Sequence, residues 1–179
     1  ADGEINSNDA TRDIGYTDMP EYTAGLNTGF SWKNFDFSMQ WTGAWNVDRM
    51  LDEFRRPLGD TNEKGLLLYQ YDTTWRSSAD TFTAKFPRTS SLHASNNYAG
   101  SDLYLINASY LRLKSVEIGY NFNFPFMKKL KMDNCRLYVN GYNLITITGF
   151  KWGDPESRQS SRPNYPLTRV FNIGLKLGF

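Results

Sequence analysis

Hydrophobic and polar residues alternate with a period of two along several stretches of the chain, the repeat of a strand with one apolar face. In Arg169–Phe179 one face reads Phe171, Ile173, Leu175, Leu177 and Phe179, and the other Val170, Asn172, Gly174, Lys176 and Gly178. That length matches the roughly 9–11 residues of a tilted strand that crosses a membrane. Glu21–Phe30 sets Tyr22, Ala24, Leu26, Thr28 and Phe30 against Thr23, Gly25, Asn27 and Gly29. Phe35–Trp45 sets Phe35, Phe37, Met39 and Trp41 against Asp36, Ser38, Gln40 and Thr42, and the Lys33-Asn34 turn makes the two a hairpin. Tyr110–Phe124 sets Val116, Ile118, Tyr120 and Phe122 against Ser115, Glu117, Gly119 and Asn121. Cys135–Ile147 alternates less cleanly, with Leu137 and Val139 opposite Tyr138 and Asn140.

The connections between these strands alternate in length. Ser31–Asn34 and Pro125–Asn134 are short, the latter with a helical pattern over Phe126–Met132; Asn46–Ser109 and Thr148–Thr168 are long. A membrane barrel has this asymmetry, with short periplasmic turns and long outer loops. A compact water-soluble domain rarely tolerates a connection as long as Asn46–Ser109, whose pattern allows a helical turn at Gly65–Tyr71. Aromatic rings crowd the strand ends: Phe30, Trp32 and Phe35 at one short turn, Tyr120, Phe122, Phe124 and Phe126 at the other, Trp41 and Trp45 at the opposite end. Rings favour the two membrane–water interfaces.

Composition agrees. Of 179 residues only 40% are hydrophobic, yet 16% are aromatic, and the mean hydropathy is -0.57. No apolar run approaches the roughly 18 residues of a membrane helix. The net charge of +1 gives no electrostatic footprint for nucleic acid, so no such partner is expected. A single cysteine excludes an internal disulfide, and a single histidine removes most metal-cluster and triad schemes. The chain begins at Ala1 without a signal-peptide pattern, which reads as an interior cut.

Longer motifs carry a family resemblance. Ser109–Tyr120, Arg136–Leu144 with Thr146–Phe150, Gly153-Asp154-Pro155-Glu156, Tyr165-Pro166 and Arg169–Phe179 resemble, in order, the SusC/RagA family of TonB-dependent outer-membrane transporters. Ile14-Gly15-Tyr16, Pro20-Glu21-Tyr22 and Trp32–Phe37 fit it too. The resemblance implies an all-β fold: the C-terminal five strands of an antiparallel transmembrane β-barrel of about 22 strands. The plug domain and TonB box would be absent from this chain. It implies residence in the bacterial outer membrane and a non-catalytic part in importing oligosaccharides or oligopeptides. The partners would be the rest of the transporter, a SusD-like lipoprotein, membrane lipid and, through the missing N-terminal part, TonB. Phe179, with Phe171, would be the signal presented to the barrel-assembly machinery. The last strand would then run inward, so that Asn46–Ser109 and Thr148–Thr168 face outside the cell.

Candidate chemistry is sparse, and no cofactor is expected. Asp2-Gly3-Glu4-Ile5-Asn6 with Asp9 resembles the second half of a calcium loop, with Asp2, Glu4, Asn6 and Asp9 as ligands. The first ligands are missing and hard cations want about 6–8 oxygens, so an acidic turn is the stronger reading. Asn27, Asp36, Gln40, Glu117 and Asn121 are expected to face the barrel lumen, toward substrate or plug. Arg112 and Lys114 share the parity of the apolar face near its outer end, beside lipid headgroups or as a solvated rim. Asp154 and Glu156 are expected in a solvated turn. The run Asp48, Arg49, Asp52, Glu53, Arg55 and Arg56 reads as a solvated loop that pairs locally or meets a partner. His93 with Ser90, Ser91 and Ser95 lacks any supporting motif. Cys135, without a nearby Cys or His, reads as a structural thiol, and Lys128, Lys129 and Lys131 as a solvated turn.

Two other readings compete. In a water-soluble carbohydrate-binding β-sandwich, Phe171, Ile173, Leu175 and Leu177 would pack against a second sheet. In a secreted hydrolase, Asp154 or Glu156 would be catalytic.

Overall fold

The structure, a computed structural model, describes residues 7–11, 13–51, 68–89, 97, 100–125, 131–157 and 167–179. They fall into two compact units. One comprises Pro20–Val47, Ala108–Ser157 and Tyr165–Phe179 and holds a single antiparallel sheet. Its strands are β1 (Tyr22–Trp32), β2 (Phe35–Trp45), β5 (Tyr110–Phe122), β6 (Asn134–Thr148) and β7 (Val170–Gly178), in the order β1-β2-β5-β6-β7. β3 (Asp48–Met50), α1 (Leu68–Thr73) and β4 (Leu105–Asn107) belong to the other unit.

Hairpin geometry sets the register. Trp32 pairs with Phe35 across a loop whose first residue, Lys33, has φ 55°, so the apolar residues of β1 fall opposite those of β2: Leu26 faces Trp41 and Phe30 faces Phe37. The row continues through Phe37↔Ile118, Ile118↔Val139 and Val139↔Ile173. One face of the sheet is therefore apolar across all its strands. It is also bare: Phe171 is 71% and Ile173 74% exposed, and Leu26, Phe30, Ile147 and Leu175 are exposed too. Among the described residues no second sheet lies over Phe171, Ile173, Leu175 and Leu177, as the sandwich reading would need. Both β1 and β7 are edge strands, with backbone groups along one side that find no ladder partner among the described residues.

A β-bulge interrupts β5. Gln40 pairs with Ser115 and Trp41 with Leu113, so Lys114 has no opposite number on β2. The extra residue reverses face parity beyond it. Leu113 and Leu111 continue the apolar row, whereas Arg112, opposite Thr42 and Thr146, lies on the polar face. The expectation for Arg112, on the apolar face near headgroups or as a solvated rim, is therefore wrong: strict alternation cannot register an inserted residue. Arg112 is 1% exposed.

The second unit contains structure that leaves no alternation in the sequence. β3 and β4 pair antiparallel, and three residues are too few to show a period. α1 overlaps the anticipated helical turn, with Gly65 to Leu67 lying outside the described residues. Asp48 and Arg49, expected in a solvated run, are buried. Asp48 accepts hydrogen bonds from the Tyr16 amide at 2.8 Å and from Asn107 Nδ2 at 3.2 Å, and Arg49 donates to the Asp18 carbonyl. Gly15 permits this arrangement. Its φ of +114° disfavours any side chain, and a Cβ there would stand 2.5 Å from Asp48 Oδ2.

Candidate functional site

The polar face of the sheet carries two clusters, one near each end of β5. At the β1–β2 turn end, Arg136 on β6 reaches across β5 to β2. Its Nε donates to Asp36 Oδ1 at 3.1 Å, and its Nη2 donates to Asp36 Oδ2 and, at 2.8 Å, to Glu117 Oε1. Asn121 Nδ2 adds a bond to Asp36 at 3.3 Å, and Asn140 Nδ2 one to Glu117 Oε2 at 3.1 Å. Asn172 extends the chain to β7 by donating to Asn140 Oδ1 at 2.9 Å. Three of the anticipated lumen residues, Asp36, Glu117 and Asn121, thus meet in one network. Asn27 and Gln40 are cross-strand neighbours on the same face and lie apart from it. The organising group, Arg136, was not anticipated; the signal for it was parity, since it alternates with Leu137 on the polar side.

Two glycines make room for this network. A Cβ on Gly119 would overlap the Arg136 guanidinium, 2.6 Å from its Cζ. One on Gly174 would overlap the Tyr138 ring, 2.7 Å from Cε1. Arg136 and Tyr138 therefore lie flat along the sheet, with the guanidinium 5.1 Å from the Tyr138 ring centroid.

At the other end of β5, Arg112 fastens the start of the connection after β6. Its Nη1 donates to Glu156 Oε2 at 2.6 Å, its Nη2 to Asp154 Oδ1, and its Nε to Thr146 Oγ1 at 3.0 Å. Lys114 Nζ lies 3.2 Å from Glu156 Oε2. Asp154 also caps its own turn: Oδ1 accepts from the Glu156 amide at 3.0 Å and its carbonyl from the Ser157 amide at 3.1 Å. Asp154 is thus not the solvated residue expected, its side chain being 15% exposed, while Glu156 at 42% is half open. This geometry also argues against the hydrolase reading. A glycosidase pair needs one carboxyl free to donate a proton, and both of these accept from one guanidinium.

The chain has relatives of known class. A TonB-dependent receptor of Formosa agariphila is 29% identical over 99% of this chain and 18% of its own length. A second from the same organism is 24% identical over 99% of the chain and 19% of its own. The TonB-dependent receptor SusC of Bacteroides thetaiotaomicron is 28% identical over 87% of the chain and 15% of its own. The chain is homologous to TonB-dependent receptors. No family profile matches it. Among solved structures, the RagAB peptide transporter superposes with a TM-score of 0.71 at 22% identity, covering 92% of the chain and 18% of that chain. The RagAB peptide importer in its closed-closed state gives 0.71 at 20% identity over 99% of the chain. The chain spans about a fifth of the length of these receptors.

In this receptor homologue the remaining sequence candidates fall outside both clusters. Asp2, Glu4 and Asn6 lie outside the described residues, and Asp9 ends a short 3-10 helix, Ser7–Asp9. Among the described residues no three His, Cys, Asp or Glu side chains gather to hold a metal. His93, Ser90, Ser91, Ser95, Asp52, Glu53, Arg55, Arg56, Lys128 and Lys129 lie outside the described residues as well. Cys135 is a half-buried free thiol in the apolar row, opposite Phe122 and Leu177. Phe171 sits in that same row, and Phe179 follows β7.

Proposed function

We propose that the chain is the C-terminal part of the barrel of an outer-membrane, TonB-dependent importer of oligosaccharides or oligopeptides. The observation that carries this reading is a sheet with one face apolar and bare, the other polar and cross-linked, and both edges open. Lipid covers such an apolar face without any second sheet. The open edges are completed by further strands of the same polypeptide in a closed barrel of about 22 strands, where every backbone amide is paired. The long connections, 46–109 and 148–168, face outside the cell and meet substrate and a SusD-like lipoprotein. The polar face lines the lumen. TonB acts through a plug that these residues do not include, and the segment itself catalyses nothing. Homology to TonB-dependent receptors supports this assignment.

The test uses Trp41 and Trp45, both on the apolar face. In the full receptor polypeptide, variants retaining only one of them are reconstituted with brominated phospholipids. Quenching of Trp41, nearer the middle of β2, together with recovery of the protein in the outer-membrane fraction, is the expected result. Fluorescence indifferent to brominated lipid would refute the membrane reading.

A further inference from the structure

At the β1–β2 turn the apolar face ends in a cleft of about 630 Å³ lined by Phe30, Trp32, Lys33, Asn34, Phe35 and Tyr120. That volume lies within the size range of ligand pockets. Trp32, Phe35 and Tyr120 are successive cross-strand neighbours on β1, β2 and β5, so they form one aromatic row across three strands. Phe30, two residues along β1 on the same face, lies 5.4 Å from Phe37, centroid to centroid. Phe30, Trp32 and Tyr120 are all exposed. The lining includes a single cation. Lys33 Nζ lies over the Trp32 ring, 4.8 Å from its centroid, and among the described residues it makes no ion pair. Asp36, the nearest acid along the chain, belongs to the polar face and is bonded to Arg136. Lys33 also takes a φ of 55° at the first position of the two-residue loop, a conformation that glycine adopts without cost. The turn geometry therefore does not call for a lysine. An apolar cleft whose lining carries one uncompensated ammonium fits an amphiphile with an anionic head.

We propose that this cleft binds one glycerophospholipid molecule, its phosphate on Lys33 and an acyl chain along the rings of Phe30, Trp32, Phe35 and Tyr120. The inference rests on the importer reading, which covers the apolar face with lipid and sets this short turn at the periplasmic interface. It goes further in making one lipid a ligand with a defined seat, where the rest of the face needs only bulk hydrocarbon. A free phosphate would find one ammonium and no use for the aromatic row, and a neutral diacylglycerol would leave Lys33 without a counter-charge.

The experiment uses the full receptor polypeptide in detergent, in a variant that keeps Trp32 as its sole tryptophan. It is titrated with phosphatidylglycerol brominated on one acyl chain, and quenching of Trp32 gives the midpoint of binding. Diacylglycerol with the same brominated chains and soluble glycerol 3-phosphate are the comparisons. Phosphatidylglycerol should bind about fivefold tighter than diacylglycerol. Lys33→Gln should remove that difference and leave diacylglycerol unchanged, and Lys33→Arg should restore it. Lys33→Gly, which eases the turn, should behave as Lys33→Gln does, so the loss is not one of folding. Equal midpoints for the two lipids, or no response to Lys33→Gln and Lys33→Gly, overturns the proposal. Displacement of the brominated lipid by glycerol 3-phosphate makes this a site for soluble phosphates and overturns it too. The importer reading is tested separately at Trp41: quenching there with no effect of Lys33 sinks this inference alone, whereas a Trp41 indifferent to brominated lipid sinks the membrane reading beneath it.

Discussion

Replacing Arg112 with Met in the full receptor polypeptide tests the most specific structural feature of the sheet. Met keeps much of the side-chain volume and removes the charge. Asp154, 15% exposed, then loses its cation in a site with little water, and removing one partner of a buried pair costs about 3–5 kcal/mol. Glu156 adds little, because its half-open side chain is screened and such pairs contribute about 0–1 kcal/mol. Thr146 Oγ1 loses a donor as well but keeps its own hydroxyl to reorient. The low end, about 3 kcal/mol, is therefore the expected local cost. It should appear in the turn that Asp154 caps, where the Glu156 and Ser157 amides are both bonded to Asp154. Hydrogen exchange reads it directly: about 3 kcal/mol corresponds to roughly a hundredfold faster exchange of these amides. The control is the neutral set Arg112→Met with Asp154→Asn and Glu156→Gln. With no carboxylate left unpaired, much of the protection of the Ser157 amide should return, giving a coupling energy of about 1–3 kcal/mol. Unchanged exchange in Arg112→Met, or a triple variant whose losses merely add, would show that the turn holds itself and that the guanidinium does not fasten it.

Four further outcomes follow from the same geometry. Arg136→Leu leaves Asp36 and Glu117 without their shared cation, so it should destabilise the sheet by about 2–3 kcal/mol in denaturant titration, more than Asp36→Asn or Glu117→Gln alone. Gly174→Ala forces a methyl into the Tyr138 ring and should cost about 1–3 kcal/mol, whereas Gly25→Ala, whose added Cβ meets nothing nearer than the Trp41 carbonyl at 3.9 Å, should be near neutral in the same titration. Gly15→Ala combines a left-handed φ with overlap on Asp48, and should speed exchange of the Tyr16 amide at least tenfold. Ile173→Lys on the bare apolar face should cost about 2–4 kcal/mol in a bilayer if it sits near the midplane, whereas an exposed strand position in water would tolerate it.

The alternation of the chain exposed the strand faces because a sheet with one apolar side leaves a period-two trace at nearly every position. The apolar face of Phe171 to Leu177 could be assigned from sequence for that reason: a slip of one residue would put Asn172 and Lys176 on the apolar side, although the pairing with β6 comes only from the fold. β3 and β4 left no such trace, since three residues contain one and a half periods. The burial of Asp48 and Arg49 is illegible in the sequence for a related reason. Charge alone looks solvated, and only the folded backbone shows that the Tyr16 amide and the Asp18 carbonyl come to meet them.

The same reasoning shows why the two clusters differed in legibility. Asp36, Glu117 and Asn121 sit in unbroken alternation, so their common face was readable and only their partner Arg136 went unnoticed. Arg112 lies past the bulge at Lys114. One unpaired residue moved it from the apolar face to the polar one, and with it moved the meaning of Asp154 and Glu156, from a solvated turn to a counter-charge. A strand that must keep Leu111 and Leu113 toward the apolar side together with Val116, Ile118 and Tyr120 cannot do so by strict alternation over Tyr110–Tyr120, because the two sets differ in parity. The bulge resolves that conflict. It keeps the apolar row continuous for whatever covers it, and it places a buried guanidinium where the following connection can be fastened to the sheet.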